Sequence, residues 1–163
     1  MSRWRPPQAK SSPYITQAGY QRLEAELKQL WDRRKHVTTA LSAAAAEGDR
    51  SENAEYIYRK KELREIDRRI HYLQKRLPIL NIVSEKPQNQ QQVFFGAWVT
   101  LETMQGEEIT YRIIGADEID TSGGLISLDS PLAKALLKKA LDDEVLVRHG
   151  DLEQRYYIVD IRY

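Results

Sequence analysis

Apolar and polar positions recur along the chain with two different periods, and the change of period divides it. Between Tyr20 and Ala44 the seam reads Tyr20, Leu23, Leu27, Leu30, Arg34, Val37, Leu41, Ala44, with steps that alternate between three and four. A second seam with the same steps reads Tyr56, Arg59, Leu63, Ile66, Ile70, Leu73, Leu77, Leu80. Alternating three- and four-residue steps are the pattern of coiled-coil packing. Folded about Arg50, the two lists pair off: Ala44 with Tyr56, Leu41 with Arg59, Val37 with Leu63, Tyr20 with Leu80. Two seams that mirror each other across a short break predict an antiparallel helical hairpin. Each arm has roughly 28 residues, so the stalk is about 42 Å long at ~1.5 Å per residue. The stretch Gly48-Asp49-Arg50-Ser51-Glu52-Asn53-Ala54-Glu55-Tyr56 lies at its far end. Thr16 is a candidate N-cap for the first arm, Gly48 a natural stop, and Pro78 disfavours continuation of the second. Ala43 to Ala46 are small enough to let the arms approach closely near the tip.

From Val93 onward the period shortens. Val93–Phe95, Ala97–Leu101, Ile109–Ile114, Leu125–Leu128, Val145–Val147 and Tyr156–Ile161 are short, rich in β-formers and bounded by turn residues such as Gln105-Gly106 and Ser122-Gly123-Gly124. One short helix is predicted from Pro131 to Lys139, with Ser130 as N-cap and Pro131 at the first helical position. The fold class is therefore α+β: an N-terminal antiparallel coiled-coil hairpin, then a small antiparallel sheet with one short helix. The expected domains are a flexible basic arm over 1–13, the hairpin over 14–82, a polar glutamine-rich linker over 83–92, and a globular domain over 93–163.

Composition changes this picture little. A chain of 163 residues holds one or two domains, and a net charge of +1 gives no global pull toward nucleic acid or membrane. There is no cysteine, which excludes a disulfide framework and a thiolate metal site. No apolar run approaches the ~20 residues that span a bilayer, and the N-terminus lacks the apolar core of a signal peptide. The expectation is a cytoplasmic, monomeric protein without a membrane partner.

Local charge is more informative. Arg59, Lys60, Lys61, Arg64, Arg68 and Arg69 crowd the second arm on the half nearer the tip, with Glu55, Glu62, Glu65 and Asp67 interspersed. This stripe reads equally as a solvated coiled-coil face and as a surface that tracks phosphates. Asp49 and Glu52, three apart at a helix start, also carry two readings. They form a capping box with Asp in place of Ser or Thr, both acids suiting the positive end of the second helix. Alternatively, they are a carboxylate pair delivered on a stalk into a recess of another molecule. Two carboxylates are too few to hold Mg²⁺, which takes about six oxygens, so metal chemistry here requires ligands from a partner. In a two-metal phosphodiester cleavage, added carboxylates would hold the second ion and orient the attacking water.

The stretch from Gly48 to Tyr56 resembles the tip motif of the bacterial Gre transcript-cleavage factors, and Leu63–Ile70, Val93–Val99 and Asp129–Leu137 resemble the same family, in its GreB branch. The resemblance covers about residues 14 to 163. It implies an FKBP-like fold for the globular domain. It also implies binding to bacterial RNA polymerase, insertion of the hairpin into the secondary channel, and Mg²⁺-dependent cleavage of the backtracked RNA 3′ end by the polymerase's own active centre. By the same resemblance Asp49 and Glu52 match the catalytic acids, Asp49 helping to hold the second Mg²⁺ and Glu52 positioning the water. Ser51 and Asn53 would shape the tip, the basic stalk would guide RNA, and Asp129, Ser130 and Pro131 would face polymerase. The chain would then be no free-standing enzyme. Rival readings are a channel-occupying regulator without cleavage activity, a prolyl isomerase suggested by fold alone, and a plain coiled-coil adaptor.

Overall fold

The computed structural model describes residues 10–49 and 52–163. They form two compact units, one spanning Ala18–Leu80, the other formed by the described residues up to Gln17 with Asn81–Tyr163.

The first unit is the hairpin. Helix α1 spans Gln17–Ala45 and α2 spans Ala54–Arg76, followed by a 3-10 turn, Leu77–Ile79. Their 29 and 23 residues correspond to about 43 and 35 Å of helix. Pro78 sits inside the turn, where α-helical hydrogen bonding has already ended. Val37, Ile66 and Ile70 are buried together, with Leu27, Leu30 and Leu63 packed around them. Ion pairs join the arms beside this seam: Arg33 with Glu62 at 2.6 Å, Arg34 with Asp67 at 2.7 Å and Arg69 with Glu26 at 2.6 Å. All three lie close to the predicted mirror register, and Arg34, the charged interruption in the first seam, is accounted for by its partner Asp67. Most other seam residues are only half-buried, because two helices enclose one another along a single line.

The second unit is built on a five-stranded sheet, β3 (Trp98–Thr103), β4 (Glu108–Ile114), β5 (Leu125–Ser127), β6 (Glu144–His149) and β7 (Leu152–Arg162), in the order β5-β4-β3-β7-β6. Four strands are antiparallel, β3 joined to β4 and β6 to β7 by short turns while β3 and β7 pair across the sheet; β5 returns through a longer loop and pairs parallel to β4. Inward positions alternate along β3 and β6, where Val99, Leu101, Val145 and Val147 are buried. Along β7 the alternation is reset by a bulge. Thr100 pairs with Asp160 but Leu101 with Ile158, so Val159 is the extra residue and Ile158 turns into the core. Helix α3, Pro131–Leu136, adds Ala133 and Leu136 to that core. It ends three residues before the expected Lys139. The chain leaves the helix through extended Leu137 and left-handed Lys138, and Lys138 N–H then donates to Val93 O at 2.7 Å while Val93 N–H donates to Lys139 O at 2.8 Å. That bridge consumes the backbone groups a further helical turn would need.

A second, two-stranded sheet pairs β1 (Tyr14–Thr16) in parallel with β2 (Asn81–Val83). The sequence assigns Tyr14–Thr16, Asn81 and Ile82 to the hairpin and Val83 to the linker; here all of them belong to the globular unit. Ile15 is fully buried, Pro13 O accepts from Asn81 N–H at 2.6 Å, and a Cβ added at Gly115 would lie 2.0 Å from Tyr14 O. Gly115 therefore makes room for β1. The Gly115→Ala variant is expected to lose about 1–3 kcal/mol, the usual cost of overpacking a buried site, read as a lower denaturation midpoint with an unchanged slope.

A capped acidic tip and a charge-paired stalk

The tip begins where α1 runs out at Ala45. Ala46 and Glu47 N–H donate to the carbonyls three residues earlier at 3.2 Å each, and Gly48 takes a left-handed φ of +125°. Asp49 and Glu52 follow, both exposed. Arg50 and Ser51 lie outside the described residues, and with them the tip-shaping role assigned to Ser51. The N-cap of α2 is Asn53, one residue past Glu52, which displaces the capping register read at Asp49–Glu52. Its side chain works in both directions. Asn53 Oδ1 accepts Tyr56 N–H at 3.1 Å, satisfying a free donor of α2. Its Nδ2 donates to Ala44 O at 2.8 Å, a carbonyl at the end of α1 that Glu47 N–H also reaches, so that it accepts two bonds. One amide thus ties the two helices together beneath the acidic turn, and Ala44, with almost no side chain, permits the approach. No group of three or more His, Asp or Glu side chains able to hold a metal occurs among the described residues.

The six basic residues singled out on α2 are not equivalent. Arg59 Nε donates to Glu55 at 2.8 Å and its Nη1 to Glu62 at 3.1 Å, while its guanidinium lies 5.5 Å from the Tyr58 ring centre. The bond to Glu55 is the main reason its pKa is raised. Arg69 grips Glu26 with two bonds, 2.6 and 3.0 Å, and stacks 5.2 Å from Tyr72. Lys60 lies 5.8 Å from the Tyr56 ring. Lys61, Arg64 and Arg68 are solvent-facing to differing degrees and make no ion pair among the described residues. Arg68 also lines an open groove of about 390 Å³ with His71, Tyr72, Lys75, Arg76 and Ile79. Sequence reasoning missed this groove, although Tyr72 and Ile79 stand outside the apolar seam and were the available signal.

Asp129, Ser130 and Pro131 lie together at the start of α3. Ser130 caps the helix, its hydroxyl accepting Ala133 N–H at 3.2 Å, and Pro131 is exposed in the first turn. Asp129 accepts the amide and hydroxyl of Ser12 at 2.8 and 2.5 Å. Ser12 and Pro13, read from the sequence as the end of a flexible arm, are thus bonded into the globular unit. Glu118, also missed, is buried and accepts the amides of Thr16 at 3.1 Å and Gly115 at 2.9 Å, and the hydroxyl of Thr16. No local motif announces it, since Thr16 and Glu118 are far apart in sequence.

Two family models match this chain. Residues 13–82 match the family model "Transcription elongation factor, N-terminal", and residues 87–163 match "Transcription elongation factor, GreA/GreB, C-term". The transcription elongation factor GreB of Pseudomonas aeruginosa is 56% identical over 100% of this chain and 98% of its own. That of Yersinia pestis is 54% identical over 95% of this chain and 91% of its own. Among solved structures, Gfh1 of Thermus aquaticus is 25% identical, covering 94% of this chain and 100% of its own at a TM-score of 0.43. No helix among the described residues is long and apolar enough to cross a membrane.

The cap and the paired charges can each be tested. Asn53→Ala should cost about 1 kcal/mol, as loss of an N-cap does, and the Tyr56 amide should lose its protection from hydrogen exchange. Partial burial favours the neutral form of Glu62, but the hydrogen bonds from Arg33 and Arg59 outweigh it and leave the carboxyl below its ordinary pKa. A depressed carboxyl stabilises the fold above the unfolded pKa of about 4.3 and stops doing so as pH falls through the folded value. Hairpin melting should therefore drop between pH 5 and pH 3 (roughly the range that brackets a carboxyl of this kind), and Glu62→Gln should shrink that drop.

Proposed function

Because the chain belongs to the GreA/GreB family of transcription elongation factors and aligns over its whole length with GreB proteins, we propose that it binds bacterial RNA polymerase in the cytoplasm as a monomer. In this reading it inserts the hairpin into the secondary channel and stimulates Mg²⁺-dependent cleavage of backtracked RNA 3′ ends. The observation that carries the reading is the tip: two exposed carboxylates, Asp49 and Glu52, at the end of a stalk and braced from below by Asn53. In this reading the hairpin's own length carries the pair toward the polymerase active centre.

Mg²⁺ held jointly with polymerase would supply an activated water and neutralise charge on the scissile phosphate. This chain's own part is narrower. Asp49 offers an acidic oxygen to the shared ion, Glu52 orients the water or accepts its proton, and the cap keeps the turn from fraying. Arg59 and Arg69 are occupied in holding the stalk, so the phosphate-facing charge falls first to Lys61, Arg64 and Arg68, with Lys60 beside them. Asp129, Ser130 and Pro131 present the globular unit to polymerase.

In stalled, backtracked polymerase complexes with Mg²⁺, the wild type should release 3′ RNA fragments. Asp49→Asn should bind polymerase as well as wild type and lose roughly 100-fold in cleavage, the scale of one preorganised electrostatic interaction. If the wild type binds and occupies the channel but neither protein stimulates cleavage, the chain is a channel-occupying regulator and the acids have no catalytic part. Replacing Lys61, Arg64 and Arg68 with Gln should impair long extruded RNA more than short, and should flatten the salt dependence by about 0.7 for each phosphate no longer neutralised. Arg69→Gln should instead lower the melting temperature. An equal loss on short and long RNA would count against a guiding stalk.

A further inference from the structure

Asp129 stands first in the segment assigned to polymerase, but both of its carboxylate oxygens are engaged from within the molecule. Oδ2 accepts Ser12 N–H at 2.8 Å and Oδ1 accepts the Ser12 hydroxyl at 2.5 Å. The arrangement is repeated at the other end of β1, where Glu118 Oε2 accepts Thr16 N–H at 3.1 Å and Oε1 accepts the Thr16 hydroxyl. Each acid takes the amide and the hydroxyl of one residue together; Thr16 is the last residue of β1 and Ser12 lies two residues before its start. Hydrogen bonds to an ionised acceptor are roughly twice as strong as neutral ones, and Pro13 O adds a third tie to Asn81 N–H. The chain from Ser12 to Thr16 is therefore fastened at both ends, and the exposed Lys10 and Ser11 lead into it.

This bears on what a partner touching Ser130 and Pro131 must meet. A specific protein interface covers about 800 Å² on each side, some 20–30 residues, far more than a three-residue motif. Ser12 is within hydrogen-bond distance of Asp129, which puts the chain around it beside Ser130 and Pro131. A partner donor aimed at Asp129 would also have to compete with two bonds already made.

We propose that Lys10–Pro13 forms part of the surface that meets polymerase, and that Asp129 is a positioning residue that holds this segment beside Ser130 and Pro131. The proposal rests on the polymerase-binding reading above. It predicts that Asp129 acts through Ser12, and the Thr16–Glu118 pair indicates which substitution should be tolerated: Ser12→Thr keeps both donors.

The test uses the full chain and purified bacterial RNA polymerase. Ser12→Ala should weaken binding by roughly 10- to 100-fold, the effect of one lost hydrogen bond to a charged group, and Ser12→Thr should bind as wild type. Adding Ser12→Ala to Asp129→Ala should weaken binding no further. A photoreactive benzoylphenylalanine at Lys10 should form an adduct with polymerase, as one at Pro131 should. Protection of the Thr16 amide from exchange should persist in Ser12→Ala, showing that β1 stays in place. Wild-type binding by Ser12→Ala alongside weak binding by Asp129→Ala would overturn the proposal, since Asp129 would then touch polymerase itself. An adduct at Pro131 without one at Lys10 would overturn it too. A wild-type protein that does not bind polymerase would defeat the functional reading, and the proposal with it.

Discussion

A hairpin of two helices has only one line along which apolar surface can leave water, and the rest of its design answers that limit. Val37, Ile66 and Ile70 form its small buried centre, and the sides of the seam have no third helix within the hairpin to cover them. Charged side chains take that place, pairing across the seam where Arg33, Arg34 and Arg69 meet Glu62, Asp67 and Glu26. Exposed ion pairs contribute little individually. Their larger effect is on register, because a shift of one arm against the other would separate three partners at once.

The same limit explains the tip. Where the seam narrows to alanine, there is little apolar burial left to hold the helix ends together, and their backbone groups need partners. Asn53 provides one for each helix. The acidic turn above it is thereby mounted on a base fixed by hydrogen bonds, and the capping of α2 falls to Asn53 rather than to Asp49 or Glu52.

The globular unit solves a different problem. Its sheet core is apolar and continuous, but β1 enters from the far end of the sequence and must be held against it. Two acids, a glycine and one backbone bond do this. A carboxylate buried like Glu118 is tolerated because each oxygen is met by donors.

Much of this was legible in the chain alone. The 3-4 spacing of the two seams determined the hairpin, its antiparallel sense and which residues face inward, because helical periodicity is a local property of the backbone. The spacing of short β-rich runs determined five strands of the sheet, although Val93–Phe95 forms none and is tied by the backbone to Lys138 and Lys139 instead, and Ser130-Pro131 determined the start of α3. The tip acids and the family motif were legible for the same reason: they are contiguous. What the tertiary structure decided involves partners distant in sequence. It moved Tyr14–Thr16, Asn81 and Ile82 out of the hairpin and into a parallel pair that Val83 of the linker completes, shortened α3 through the Val93 bridge, placed the β7 bulge, and sorted the basic residues of α2 into those bound to acids and those facing solvent. It also made Asn53, not Asp49, the cap. Each of these depends on which donor finds which acceptor across the fold, and a hydrogen bond between residues such as Thr16 and Glu118 leaves no periodic trace in the sequence that makes it.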